Sequence, residues 1–314
     1  MTAEPTWSKG PPRTILLATD FSGRCDRAMD RAVQLAKLWR AKLVVLTVVE
    51  PKPQGSARSP SLEPHTWRRT AGEDSSASVR IRREFGDVIR DADLHIEEGG
   101  VVPLIDTVAS DVGAELIVTG ISRDETLGSH VLGSTVERLA CETPIPLLIV
   151  KRRVQYYGEI LVATDFSESS QHALTAADRF FPSAPITVLH AWQSPATRIL
   201  DGGNFRKQWR NHEQSACESF LRESQLTWEA RARLKVLVEQ GRPEILVRDY
   251  MLDRDVDLVV VGTHGQGGPL DKQLGGTAKR ILHTAPGDVL LIRDPHAVRR
   301  TQLAGSERGD APTP

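Results

Sequence analysis

Residues 15–22 read ILLATDFS and residues 160–167 read ILVATDFS, a match at seven of eight positions across an offset of 145 residues. Three later blocks repeat in the same order at an offset of 142: AELIVTG ending at Gly120 with VDLVVVG ending at Gly262, GSTVERL from Gly133 with GGTAKRI from Gly275, and PIPLLIVKR with PGDVLLIRD. Self-similarity of this kind marks a repeated structural unit, and the slip of three residues is loop-length drift. The halves are 1–155 and 156–294, joined around Arg152–Tyr157. A polar tail, 295–314, holds too few apolar residues to pack and is expected to be disordered. A chain of 314 residues fits two domains at roughly 150 residues each.

Within each half, short apolar runs alternate with longer amphipathic stretches, the signature of an α/β fold. The runs predict strands at Thr14–Ala18, Lys42–Val49, Leu94–Glu97, Glu115–Thr119 and Pro146–Lys151, then at Ile160–Ala163, Ile186–Ala191, Leu234–Glu239, Leu258–Val261 and Val289–Ile292. They are nearly continuous in Val, Ile and Leu, as parallel strands covered on both faces must be. Asp26–Trp39 is predicted helical, with Met29, Val33 and Ala36 on one face, and Phe205–Arg233 is a long polar helical stretch. Pro103 and Pro243 sit where helices begin, a position proline's fixed φ favours. The expected architecture is two tandem Rossmann-like domains, each a five-stranded parallel sheet flanked by four helices. Pro51–Ser76, with Pro51, Pro53, Pro60 and Pro64, reads as a long loop.

Forty Lys and Arg against 41 Asp and Glu leave a net charge of -1, which removes the broad basic footprint of a general nucleic-acid or anionic-membrane binder. No run approaches the roughly 18 apolar residues of a membrane span, and MTAEPTWSKGPPR lacks a secretory apolar segment. A cytoplasmic location without a membrane association is expected. Cys25, Cys141 and Cys217 are odd in number and widely spaced, so they read as structural thiols rather than a disulfide framework or zinc site.

Ligands of open parallel sheets bind at the carboxyl ends of the strands, where strand order reverses. Three features of the second half follow strands: Thr164-Asp165-Phe166-Ser167, Gly262-Thr263-His264-Gly265 and Gly275-Gly276-Thr277. Asp165 has the chemistry to accept hydrogen bonds from a ribose or base, or, with Ser167, simply to cap the next helix. The glycines read as G-x2-G-x9-G-G-T, with Gly267, Gly268 and Lys272 between them. Glycine admits a phosphate to main-chain N–H groups, and a helix N-terminus favours an anion. The alternative is a surface loop and a glycine-capped helix, since neither GK[ST] nor GxGxxG is present. There is no HExxH, no GxSxG and no His–Cys cluster at metal spacing, so no catalytic or metal-ligating set is identified. His190 ends an apolar strand and reads as a hydrogen-bonded core residue. Trp209 and Trp228 read either as helix-packing aromatics or as ligand-stacking platforms.

Together, ATDFS after a first strand, VVVGTHG after a fourth, the G-x2-G-x9-G spacing and the closing APGDVLLI strand resemble the universal stress protein family, in its tandem two-domain form. The resemblance covers nearly the whole chain. It implies a stress-response protein that binds an adenine nucleotide, ATP or a relative, with or without Mg. It implicates Thr164, Asp165, Ala191, Val261, Gly262, His264, Gly265, Gly275, Gly276 and Thr277. Two departures stand out. Gly276 takes the place of the family's Ser or Thr, with Thr277 one residue later as a substitute hydroxyl. In the first half Arg123 replaces the motif's second glycine, which leaves Asp20, Val48, Gly120, Gly133 and Ser134 as a degenerate site. The resemblance also implies that Leu147–Val150 and Val289–Ile292 pair in an intramolecular pseudo-dimer, with homodimerisation as a further option and the protein partner unknown. Two rival readings remain: an interaction scaffold whose nucleotide sites have decayed, and a slow ATP hydrolase, for which only Asp165 offers a base or metal carboxylate.

Overall fold

The computed structural model describes residues 9–22, 25–49, 81–121 apart from 82, 84, 87 and 89, 133–153, 155–193, 202–264 and 274–293. The Pro51–Ser76 segment, the tail, Arg123, Gly265, Gly267, Gly268 and Lys272 lie outside these residues. The first half contributes β1 (Thr14–Ala18), α1 (Asp26–Trp39), β2 (Lys42–Val49), β3 (Asp93–Glu98), α2 (Val101–Asp111), β4 (Leu116–Gly120), α3 (Ser134–Glu142) and β5 (Leu147–Val150). The second contributes β6 (Ile160–Thr164), α4 (Glu168–Phe180), β7 (Ile186–Trp192), α5 (Gly202–Glu223), α6 (Trp228–Arg233), β8 (Leu234–Gln240), α7 (Pro243–Asp253), β9 (Leu258–Gly262), α8 (Gly276–Thr284) and β10 (Asp288–Ile292).

The strands form one ten-stranded sheet in the order β3-β2-β1-β4-β5-β10-β9-β6-β7-β8. Every pairing within a half is parallel. The halves meet where β5 and β10 pair antiparallel, with Leu290 opposite Leu148. That pairing hides the edges that two separate five-stranded sheets would expose. Because strand side chains alternate, each sheet face carries its own core. One joins Leu147 and Ile149 to Val289 and Leu291. The other joins Leu148 and Val150 to Leu290 and Ile292. Both cores therefore run unbroken from one half into the other.

Polar contacts repeat the two-fold relation. Lys151, just past β5, is 1% exposed and its Nζ donates to the carbonyls of Leu282 (2.6 Å) and Ala285 (2.9 Å) at the end of α8. Its counterpart Arg293, just past β10, donates to the carbonyls of Cys141 and, at 3.4 Å, Thr143 at the end of α3. Each half thus supplies a cation to the unsatisfied C-terminal carbonyls of the other half's last helix. Asp288 has no counterpart, since Pro146 occupies its place in the first half. Fully buried, it accepts from the Lys151 N–H (2.8 Å), the Arg152 N–H (3.0 Å) and the Tyr157 hydroxyl (2.7 Å), and pairs with the buried Arg31 at 3.2 Å.

The structure corrects one local expectation. Phe205–Arg233 is not one helix but α5 and α6, so the second half carries five helices rather than four among the described residues. The break comes at Thr227, whose N–H and hydroxyl donate to the buried Asp178 (3.2 and 3.0 Å) while its Oγ1 caps α6 by accepting from the Ala230 N–H. On α1 Met29, Val33 and Ala36 face one core as expected, in a buried stripe that also holds Ala28, Arg31, Ala32 and Leu35.

Candidate functional site

The strand order within each half reverses beside its first strand, leaving a crevice at the carboxyl ends of β6, β7 and β9 in the second half and of β1, β2 and β4 in the first. Both crevices open into cavities. The two copies of TDFS build them identically. The Phe166 N–H donates to Thr164 Oγ1 (3.0 Å) and the Ser167 N–H to Asp165 Oδ1 (3.1 Å). The Phe21 N–H donates to Thr19 Oγ1 (3.0 Å) and the Ser22 N–H to Asp20 Oδ1 (2.9 Å). These bonds hold Phe21 and Phe166 at φ of 53° and 64°, in the left-handed region that phenylalanine seldom enters. Asp20 and Asp165 are thereby fixed at the crevice mouth. Burial opposes the charge on Asp20, but hydrogen bonds from Ser22 and Cys25 outweigh it and hold its carboxyl below the ordinary value.

The second-half cavity, about 450 Å³, is lined by Thr164, Asp165, Ala191, Val261, Gly262, His264, Gly275, Gly276 and Thr277. The structure thus brings together every expected residue of this half that it describes. Ser170, Leu189, Gln193, Pro243, Thr263 and Arg280 also line it and were not expected. At one wall α8 follows its N-cap Gly275, which offers no side-chain cap, and among the described residues no side chain caps the first-turn N–H groups of the helix. His264 is buried and anchored: its carbonyl accepts from Ser167 Oγ (3.3 Å), its N–H donates to Ser169 Oγ (3.4 Å), and its Nδ1 lies 2.9 Å from Thr263 Oγ1.

Gly262 needs a different explanation from the one its motif suggests. A Cβ there would lie 2.6–2.8 Å from Ser169 Oγ and the Ser169 backbone, so the glycine lets α4 pack against the end of β9. Gly276 is freer, since its Cβ position meets only Arg280 Nη1, at 3.4 Å. His190 is the expected core residue. It is buried, its Nδ1 lies 2.9 Å from the Thr164 carbonyl and its Nε2 3.1 Å from Glu213, and its ring stacks on Phe166 at 4.0 Å. Neither tryptophan lines the cavity: Trp209 packs against the cluster of Trp192, Cys217 and Val238, while Trp228 is 75% exposed and so does not pack as a helix-core aromatic.

The first-half cavity, about 380 Å³, is lined by Asp20, Val48, Gly120 and Gly133 as expected. Ser134 is not among its lining residues; the hydroxyl there is that of Thr135, the counterpart of Thr277. Successive helical residues point about 100° apart, so the second residue of the helix, not the first, turns its side chain to the crevice. Two hydroxyl positions differ: Cys25 and Ile121 stand where the second half has Ser170 and Thr263. Burial raises the Cys25 thiol above its ordinary value. Among the described residues no three His, Cys, Asp or Glu side chains group to hold a metal ion, and no helix is long and apolar enough to cross a membrane.

The family model of the universal stress proteins matches residues 12–151 and again 157–293. The chain belongs to the universal stress protein family. Among relatives, a universal stress protein of Mycolicibacterium smegmatis is 24% identical over 299 residues, covering 89% of this chain and 96% of that one. Universal stress protein A homolog 1 of Coxiella burnetii is 35% identical over 145 residues, 44% of this chain and 96% of its own length. A solved putative universal stress protein of Pseudomonas aeruginosa covers 96% of this chain and 99% of that one at a TM-score of 0.66 and 19% identity. The tandem arrangement of two universal stress protein domains follows from the double match, and the ten-stranded sheet is its structural form.

Proposed function

We propose that this universal stress protein is a cytoplasmic stress-response factor that binds an adenine nucleotide, ATP or a close relative, in its second half. The observation that carries the reading is the convergence on one cavity of Asp165, the apolar floor of Leu189, Ala191 and Val261, and the uncapped N-terminus of α8. In this reading Asp165 accepts from the ribose or base, the floor takes the adenine, and the N–H groups of Gly276, Thr277 and Ala278 meet the phosphates. The cavity volume lies within the range of small-molecule sites, roughly 300–1,000 Å³. Asp165 is the one carboxylate lining the cavity among the described residues, and the proposal assigns no role to Mg and includes no hydrolytic step.

The first half is proposed as a structural partner, because the larger Val48 occupies the floor position of Ala191 and the hydroxyls of Ser170 and Thr263 give way to Cys25 and Ile121. Calorimetric titration of ATP into the full chain, beside Asp165→Ala and Gly265→Arg, tests the reading. The expected result is a saturable isotherm that weakens about tenfold or more in each variant. Absence of heat and of copurified nucleotide in the unmodified protein would refute it and favour the interaction-scaffold reading.

A further inference from the structure

Arg280 stands at residue five of α8, on the turn that follows Gly276, and lines the second-half cavity. Its counterpart Arg138 occupies the same place on α3 yet does not line the first-half cavity. The two arginines are alike in sequence and differ in what surrounds them. Arg138 Nε turns along its own helix to Glu142, at 3.4 Å. Arg280 Nε instead lies 3.3 Å from Glu244 Oε2, on the neighbouring helix α7. Glu244 has Val102 as its first-half counterpart, so that half has no carboxylate to pull Arg138 across.

Glu244 is buried, with 4% of its side chain accessible, and is also paired with Arg242. Burial works against its charge, but its own backbone N–H and the two arginines prevail and keep the carboxyl below its ordinary value. The Arg242–Glu244–Arg280 trio carries one net positive charge at the cavity rim. Arg280 is held by two of its three nitrogens: Nε at Glu244, and Nη2, which donates to Thr277 Oγ1 at 3.1 Å. Nη1 has no hydrogen-bond partner among the described residues, and it is this nitrogen that lies 3.4 Å from where a Gly276 Cβ would stand. A Cβ on residue 276 would stand in van der Waals contact with the guanidinium. Glycine leaves it room above the first turn of α8, beside the N–H groups that an anion would meet.

We propose that Arg280 is the phosphate-reading side chain of this cavity and that Glu244 is its positioning residue. The inference rests on the reading of the cavity as a nucleotide site. A guanidinium fixed on one edge keeps its other donors aimed, so little side-chain freedom is lost when a phosphate oxygen is bound. The ligand class is a nucleoside carrying at least one phosphate, preferred over the bare nucleoside.

The test is titration of ATP, AMP and adenosine into the full chain and into Arg280→Met, Glu244→Val and the double variant. Glu244→Val copies the first half and removes the carboxylate without placing a new polar group in its site. Matched thermal melts confirm that the variants are folded. Arg280→Met is expected to weaken ATP by roughly ten- to hundredfold while adenosine changes less than about twofold. Glu244→Val is expected to move ATP in the same direction by a smaller factor, and to add nothing once Arg280 is already gone. ATP binding that is unchanged in Arg280→Met, or an equal loss for ATP and adenosine, would overturn the assignment while leaving the nucleotide site intact. If the unmodified chain binds none of the three ligands, the nucleotide reading fails and this inference fails with it.

Discussion

Replacing Asp288 by alanine removes a fully buried carboxylate that gathers four groups at the junction between the halves. Arg31 reaches it from α1, Lys151 and Arg152 from the end of β5, and Tyr157 from the connection into the second half. Arg31 and Asp288 have no accessible side-chain surface, so the variant leaves a guanidinium with no water to replace its partner. Gln34 and the Gln155 carbonyl accept from Arg31 Nη1 but supply no countercharge. Stranding one member of a buried pair costs about 3–5 kcal/mol. In a chain of this size each kcal/mol moves Tm by roughly 2–4 °C, so a fall of roughly 6–20 °C is expected. Thermal and urea unfolding followed by far-UV circular dichroism give the measurement. A second variant supplies the control: Asp288→Ala with Arg31→Met removes both charges and is expected to regain a large part of the loss, as buried pairs replaced by apolar groups do. An Asp288→Ala protein within about 1 kcal/mol of the parent, or a double variant as unstable as the sum of the singles, would refute the reasoning.

Lys151 predicts a pH dependence. Burial lowers its pKa from 10.5 to about 8, against the pull of Asp288. The unfolded chain therefore binds more protons than the folded one between about pH 8 and 10, and in that window Lys151's contribution to stability rises with pH and falls as pH drops through 8. Lys151→Met should flatten this slope in urea melts at a series of pH values, and an unchanged slope would contradict it. Gly262→Ala places a Cβ 2.7 Å from the Ser169 backbone carbon, and should cost roughly 1–3 kcal/mol by differential scanning calorimetry; a neutral result would return Gly262 to a ligand role. Cysteines at Leu148 and Leu290, which face each other across β5 and β10, should cross-link within one chain on oxidation of a Cys25→Ser, Cys141→Ser, Cys217→Ser background. Cross-links found only between chains would overturn the intramolecular pairing.

All ten strands were legible in the sequence to within a residue or so at each end; the eight inner ones are covered on both faces and apolar at nearly every position, whereas the edge strands β3 (DLHIEE) and β8 (LKVLVEQ) are partly exposed and carry charged residues. The Thr227 break was not, because the partner that holds it, Asp178, is 49 residues away on α4. Its local trace was a Thr followed by an acidic first turn at Glu229, a helix start written inside a helical stretch. Motif reading found the residues around the second-half cavity, since strand ends and glycine-opened helices have sequence signatures. It could not tell why each glycine is there. Gly262 and Gly276 look alike in a pattern, yet a Cβ would meet the Ser169 backbone at one and only the end of the Arg280 side chain, among the described residues, at the other. Nor could it separate Arg280 from Arg138, because the difference lies in Glu244, a residue on another helix. Ser134 was assigned from its place in the motif, whereas helical geometry turns Thr135 to the cavity.

The proposed occupancy is one nucleotide in the second half and none in the first. Equilibrium dialysis against ATP, counting nucleotides per chain, tests it on three proteins: the parent, Ala191→Trp and Val48→Trp. Both tryptophans fill the floor of a cavity, one in each half. The account predicts one ATP per chain in the parent, none in Ala191→Trp and one retained in Val48→Trp. No bound ATP in the parent, two per chain, or a site lost to Val48→Trp and kept in Ala191→Trp would contradict it.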